Sequence, residues 1–394
     1  MTRGLACLGN AADIRTWSNI PYFFFKAAAK IGFLTHALDL MPENYSKRRL
    51  RWNLLAPLRL QKPGGYQYSR SNIERMWQRV PEEVRAGEII SHFQLFPPLN
   101  RARQSGLIHS FYCDATLKQL YPPGQQYGID PRFMAEMFRR ERELYEHAKF
   151  FIGMATETAR SAIEDYGVNP AKVFVVRPGA NIDEDVVREY LATRGESWRS
   201  RGEPFTDKHP ARLGFIGMDW KRKGLERLVE AAKILHARGR SVRVAIIGDC
   251  PQCLRDEPVA EWLGVISKAT QMREFVSAID TFALGCLPSY SEPLGISTLE
   301  CLRLGVPVMG TRVGGIPDCV PQTGGFLVPG NVNADDLADA IDARVFDPAI
   351  YRAMVQGAIE EMNRVSWDAT ARRFIELWRP APTNGFSELP NSNN

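Results

Sequence analysis

The stretch 289–307 reads S-Y-S-E-P-L-G-I-S-T-L-E-C-L-R-L-G-V-P, and the fold is decided by it. An apolar run, 282–287, leads into it with the composition of a strand. A turn follows that holds Glu292, Pro293, Leu294 and Gly295. Residues 297–304 then carry Leu299, Leu302 and Arg303 at helical spacing, and Gly305 closes the segment. The expectation is a strand, a tight turn and the open N-terminus of a helix. Unpaired backbone N–H groups there point into the turn, and the helix dipole favours an anion. Glu292 lies in the turn and Glu300 about one turn into the helix, so a carboxylate stands on each side. Amides for an anion and carboxylates for hydroxyls together suit a sugar nucleotide.

Glu292 and Glu300 enclose seven residues. The run E-P-L-G-I-S-T-L-E resembles the Glu-x7-Glu motif of the family 4 (group 1) retaining glycosyltransferases. Gly305-Val306-Pro307-Val308, Val313-Gly314-Gly315-Ile316-Pro317 and Gly324-Gly325-Phe326-Leu327-Val328 follow it. They resemble that family's next landmarks in order and spacing. The resemblance is strong over residues 148–330 and loose before them. It implies an α/β protein of the GT-B fold, two Rossmann-like doubly wound parallel-sheet domains facing each other across a cleft. It also implies transfer of a hexose, with retention, from a nucleotide diphosphate-sugar to an acceptor hydroxyl in glycan or polysaccharide biosynthesis. By the same resemblance Glu292 would take hydroxyls of the transferred sugar and Glu300 those of the ribose. Leu294 and the amides of Gly295, Ile296, Ser297 and Thr298 would line the donor site. No Asp-x-Asp metal motif is evident, and members of this fold typically need no metal, so neither metal nor cofactor is expected. Fold does not fix function. A phosphorylase or epimerase on the same fold, or a nucleotide-sugar-binding scaffold without turnover, stays open. An NAD-dependent enzyme is disfavoured, since no G-x-G-x-x-G follows either leading strand.

A chain of 394 residues exceeds the usual single core and suggests two domains. No apolar run reaches the ~20 residues of a membrane span, and the start lacks a secretory segment. Seven scattered cysteines read as reduced thiols. A cytoplasmic protein is expected, with the inner membrane surface as a peripheral contact. Residues 1–182 carry 25 Lys/Arg against 16 Asp/Glu, a balance of +9, whereas the remainder balances at −4. The first half should therefore meet an anionic partner. Segment 45–62 interleaves Lys47, Arg48, Arg49 and Arg51 with Trp52, Leu54, Leu55 and Leu58. It suits anionic lipid headgroups, an acidic acceptor, or plain solvent. No nucleic-acid-binding motif is present and none is expected to bind.

Along the first half, the domain expected over 1–182, a short strand at 4–9 leads to the loop 10–19 and then to a helix opened by Pro21. That position puts Ser18 and Asn19 at the carboxyl edge of a sheet, and the resemblance turns them toward the acceptor. Residues 31–38 read as a second strand. The strand at 107–112 ends near His109 and Asp114, both candidates to meet an acceptor hydroxyl. Asp114 begins the turn after that strand and should lie nearer the cleft. The charged stretch 183–210 reads as a linker.

In the second domain, expected over 211–365, the turn after the strand 212–217 holds Gly217, Met218, Arg222 and Lys223. By resemblance, Lys223 matches a lysine that binds the donor diphosphate. Met218 stands where the family has an arginine, and Arg222 or Lys221 would have to replace it. Residues 263–267 read as a strand, and the resemblance gives the backbone of Val265 and Ile266 to the nucleobase. Cys250 and Cys253 form a C-x-x-C without a second pair or a nearby His, and read as spacing on a loop. A helix over 366–379 is expected to cross back to the first domain, and 380–394 reads as disordered tail.

Overall fold

The computed structural model describes residues 2–59, 62–104, 106–122, 125, 127–194 and 205–379. The central strands are buried and largely apolar, which is the pattern of parallel sheets covered by helices. β1 (Arg3–Ala6), β2 (His36–Ala37), β3 (Glu88–Ser91), β4 (Ile108–Cys113), β5 (Phe151–Gly153) and β6 (Val173–Val175) form the first sheet. β7 (Ala211–Gly217), β8 (Val242–Gly248), β9 (Ala260–Gly264), β10 (Leu284–Leu287), β11 (Val308–Thr311) and β12 (Gly325–Val328) form the second. Their spatial orders are β2-β1-β3-β4-β5-β6 and β12-β11-β10-β7-β8-β9, and every pairing is parallel.

Each order reverses once, between β1 and β3 in the first sheet and between β7 and β10 in the second. Connections leave the two strands of a reversal toward opposite faces, so a crevice opens at their carboxyl ends. The loops after β1, β3, β7 and β10 therefore set where a ligand can sit.

Among the helices flanking the first sheet are α1 (Ile20–Lys30), α2 (Tyr45–Leu55), α3 (Arg70–Gln78) and α4 (Thr156–Glu164). α5 (Glu184–Thr193) leads out of that domain, and α6 (Met272–Asp280) and α7 (Ile296–Arg303) belong to the second. α8 (Trp367–Trp378) packs on α1, with ring centroids of Phe374 and Phe24 4.7 Å apart. The Trp378 indole donates to Glu88 Oε1 at 2.7 Å, and that of Trp367 to Asn181 Oδ1 at 3.0 Å. One apolar cluster runs through the junction, joining Phe24 and Tyr112 of the first domain to Leu294 and Ile316 of the second.

Three local expectations change. The stretch 31–38 pairs as a strand only at His36–Ala37, because Gly32 at φ +72° turns the chain out of α1 before the strand begins. The strand expected at 263–267 is β9, ending at Gly264, whose φ of +88° breaks it. Val265 and Ile266 therefore lie in the loop beyond. The linker stretch begins as helix α5. Asp183 accepts from Asp185 N at 3.0 Å to cap it, Val187 is buried, and Glu189 pairs with Arg273 of α6 at 2.7 Å. Residues 195–204 of that stretch and the tail 380–394 lie outside the described residues.

Candidate functional site

The loop after β10 is built to present a carboxylate. Ser289 is buried, and its carbonyl accepts from Thr311 Oγ1 at 2.7 Å. The Glu292 carbonyl accepts from Gly315 N at 3.2 Å. Gly314, at φ +50°, passes so close that a Cβ there would lie 1.9 Å from that carbonyl oxygen. The V-G-G-I-P turn thus buttresses Glu292 from behind, and only glycine fits. From the other side comes the loop after β7, whose Arg222 carbonyl accepts from Tyr290 N at 2.9 Å. Gly217 leaves room for the Lys223 side chain, since a Cβ there would lie 2.4 Å from Lys223 Cδ.

These two loops meet at the switch point of the second sheet and bring charges together. Glu292 Oε2 accepts from Arg222 at 2.9 Å and lies 3.1 Å from Lys223 Nζ. Asp219 holds the far side of the Arg222 guanidinium at 3.0 Å. Arg222, rather than a residue at 218, is the arginine on this carboxylate; Met218 is exposed.

Glu300 sits in α7 at 1% exposure. Burial pushes its carboxyl up, opposed by Lys268 and Lys223. Lys268, in the loop after β9, pairs directly with it. Sequence reading passed over Lys268, which follows Ile266 by two residues but gives no local sign of its partner. Ahead of Glu300 the turn of α7 holds Leu294, buried, Gly295 as N-cap and Ile296 as first residue. The Thr298 hydroxyl donates to Gly295 O at 2.6 Å. The Ser297 hydroxyl is buried and has no partner among the described residues, so it is available beside the open amides.

Across the cleft, Asp114 follows β4. Burial pushes its carboxyl up to about 7, two backbone amides pull against that, and the charge of Glu292 adds to the rise. The two carboxylates are near enough to feel each other, and they come from opposite domains. Contacts across the junction hold the spacing: Asp318 accepts from Thr156 N and Oγ1 at 2.9 and 2.6 Å, so a side chain of one domain caps α4 of the other.

His109 does not join this group. It is the second residue of β4, about 16 Å back along the strand from Asp114 at ~3.3 Å per residue. Its ring is buried at the amino edge and bonded to Leu144 O at 3.1 Å, and burial pulls its pKa down to about 4. A catalytic place for His109 is corrected on that ground.

Ser18 and Asn19 lie in the loop after β1, at the switch point of the first sheet. Trp17, Ser18 and Asn19 take φ values of 34°, 56° and 67°, three successive left-handed residues of which none is glycine. Such strain persists where surroundings dictate it. Here Asn181 donates to Ser18 O at 2.6 Å, and Asn19 spends its amide on Ile14 O. The Trp17 ring lies 5.3 Å from that of His92, which follows β3. His92 is buried, with Nδ1 on Tyr112 O at 2.6 Å and Nε2 unpartnered among the described residues. His92 was also missed; its place at the end of the strand-like stretch 88–93 is the signal that could have marked it.

Residues 210–345 match the family model described as glycosyl transferases group 1. D-inositol 3-phosphate glycosyltransferases are similar in sequence. That of Corynebacterium urealyticum is 31% identical over 259 residues, 62% of this chain and 59% of its own length. That of Nocardia farcinica is 30% identical over 254 residues, 61% and 54%. The chain thus spans less than two thirds of these relatives' lengths. Among solved structures, sucrose-phosphate synthase from Thermosynechococcus elongatus superposes with TM-score 0.65 at 16% identity, covering 96% of this chain and 98% of that one. Anabaena HepE in complex with UDP superposes with TM-score 0.60 at 14% identity, covering 96% and 99%. These likenesses show the fold, which is GT-B. Glu292, Glu300, Lys223 and Lys268 all fall inside the matched segment, and Asp114 lies outside it. Among the described residues no group of three or more His, Cys, Asp or Glu comes together as a metal site would require.

Proposed function

We propose that this protein is a retaining glycosyltransferase that moves a hexose from a nucleotide diphosphate-sugar to an acceptor hydroxyl. The reading rests on one observation. Glu292 and Glu300 stand at the switch point of the second sheet, each already held by a lysine, with Asp114 of the other domain within electrostatic range of Glu292.

The ribose hydroxyls donate to Glu300, whose charged form Lys268 favours. The diphosphate lies against the amides at the start of α7, where the Ser297 hydroxyl is free to donate. Lys223 and Arg222 then exchange Glu292 for phosphate oxygens, and the released Glu292 accepts hydroxyls of the sugar. The cations stabilise the charge that grows on the leaving diphosphate, so no metal or other cofactor is called for. The acceptor oxygen attacks the anomeric carbon on the face the diphosphate leaves, and a phosphate oxygen takes the acceptor's proton. One C–O bond forms, one breaks, and the nucleoside diphosphate departs. Asp114 positions the acceptor hydroxyl from the first domain, beside Ser18 and Asn19. The acceptor is a glycan or a lipid-linked saccharide met at the cytoplasmic face of an anionic membrane; nucleic acid is not a partner.

UDP, found with HepE, is the first nucleotide to try. Thermal unfolding with UDP, GDP, ADP and dTDP should reveal one that stabilises, by about 2.7 kcal/mol at a hundredfold excess over its Kd. Its hexose conjugates should then be hydrolysed slowly and transferred when acceptor is supplied. Failure of all four to stabilise the protein would sink the reading. Stabilisation without hydrolysis or transfer would leave a scaffold, which the exposed Met218 favours.

A further inference from the structure

We propose that α2 and the cavity beside it form a docking face for the anionic phospholipid headgroups of a bilayer; the inference rests on the reading of the acceptor as membrane-borne and adds the surface that would reach it. The cavity measures about 290 Å³ and is lined by Lys47, Arg48 and Arg51 of α2 and by Arg75 of α3, with Trp52 and Tyr66 as walls. No carboxylate lines it. Among the described residues none of the four cations is in an ion pair; Arg48 reaches only the backbone carbonyl of Glu43, at 3.2 Å. Other arginines of the first domain do pair with carboxylates, as Arg70 does with Glu136 and Arg103 with Glu143. Four unmatched cations turned toward one concavity leave a charge that a phosphate diester would neutralise.

A second observation decides between a free anion and a surface. Leu50, Leu54 and Leu58 are 60, 68 and 81% exposed, each four residues from the next, and Met41 nearby is 40% exposed. Leu50 and Leu54 share one face of α2, and Leu58 continues it in the short turn Pro57–Arg59. Lys47 and Arg51 flank that stripe on the side of the cavity. The stripe is held outward: Trp52 donates to Gly64 O at 2.8 Å and packs 5.7 Å from the Phe133 ring, anchoring the opposite face. An apolar stripe beside unmatched cations is the arrangement of a helix lying in a membrane interface, leucines at the acyl boundary and cations at the phosphates. A free anion would leave the leucines unexplained.

The placement serves the cleft. Leu40 N donates to Gly9 O at 2.9 Å and Asp39 bridges to Asn10, which ties the approach to α2 onto the loop that carries Ser18 and Asn19. A bilayer against α2 would bring that loop to the lipid surface.

Co-sedimentation of the full chain with vesicles tests it. At low salt the protein should bind vesicles of phosphatidylcholine with one third phosphatidylglycerol and ignore phosphatidylcholine alone. Each basic residue replaced by Gln should weaken binding about fivefold, in line with ~1 kcal/mol per charge. Leu54→Glu with Leu58→Glu, both at exposed positions, should weaken it about tenfold or more. Four results would overturn the proposal: no binding to the anionic vesicles, equal binding to neutral ones, undiminished binding by the leucine variant, or stabilisation by inorganic phosphate at constant ionic strength without vesicle binding. Nucleotide stabilisation is measured in parallel. If it fails while vesicles bind, the fault lies in the glycosyl-transfer reading and the docking face stands.

Discussion

The two charged regions of this molecule follow opposite rules. At the carboxyl edge of the second sheet each charge has a counterpart: Glu292 lies between Arg222 and Lys223 at 2.9 and 3.1 Å, and Glu300 rests on Lys268. Around the α2 cavity Lys47, Arg48, Arg51 and Arg75 gather with no carboxylate in the lining. Burial explains the difference. Glu300 is out of reach of water and must be matched in place, or its charge costs several kcal/mol. The cations of α2 are hydrated and screened, so leaving them unmatched costs little. On the proposed reading the first region is a preassembled site whose cations change partner when a ligand arrives. The second waits for a partner from outside.

The most severe test of that contrast is Lys268→Met. It leaves a buried carboxylate without its closest cation, and about 3 kcal/mol should be lost at pH 8, read by urea denaturation. Burial already raises the Glu300 carboxyl, and loss of Lys268 raises it further. The folded state then keeps a proton that the unfolded state has released, so the deficit grows as pH rises above the ordinary carboxylate range and shrinks as pH falls. Adding Glu300→Gln should recover most of the loss. A single variant as stable as the parent would show that the pair is not matched out of need.

Next in size is the separation between the two carboxylates. Glu300→Gln should lower nucleotide affinity at least about tenfold, since a hydrogen bond to a charged group is worth roughly 1.5–3 kcal/mol. Glu292→Gln should chiefly lower turnover, because its carboxylate is engaged by Arg222 and Lys223 until the diphosphate arrives. Calorimetric titration of both variants decides; equal losses of affinity would erase the distinction.

Asp114 sharpens the comparison from the other domain, being a largely buried acid with no cation on it among the described residues. Its pKa lies near 7 against 3.8 for the unfolded group. Between those values the folded state holds the extra proton, so this group's contribution to stability falls as pH rises from about 4 to about 7 and is flat above. Asp114→Asn should therefore stabilise the protein at pH 8, by on the order of 1–2 kcal/mol, and change nothing at pH 4. A pH-independent effect would mean that packing, not charge, governs the site.

The smallest effect belongs to α2. Lys47→Gln with Arg51→Gln should leave stability within about 0.5 kcal/mol of the parent, since no ion pair is broken. A larger loss in thermal unfolding would place those cations with the structural charges.

The strand–turn–helix around Glu292 and the Glu300 spacing were legible because turn chemistry and helical periodicity are local. So was the position of Asp114 after a strand. His109 misled because it shares that strand, and only the direction of β4 shows it at the far edge. The stretch 184–193 read as linker because its charges masked a capped helix whose single buried residue is Val187. Reading 263–267 as a strand overlooked what Gly264 does to its backbone.

From its residues alone the chain determined two parallel-sheet domains, the strand–turn–helix around 289–300 and the excess of positive charge in the first half. Those follow from side-chain pattern, turn residues and composition, which act over a few positions or over the whole. Tertiary structure alone decided that Lys268, 32 residues away, neutralises Glu300, that Asp114 faces Glu292, and that the leucines of α2 point outward. Charge interaction and desolvation depend on distance in space and on depth beneath the surface, and neither is written in the order of the residues.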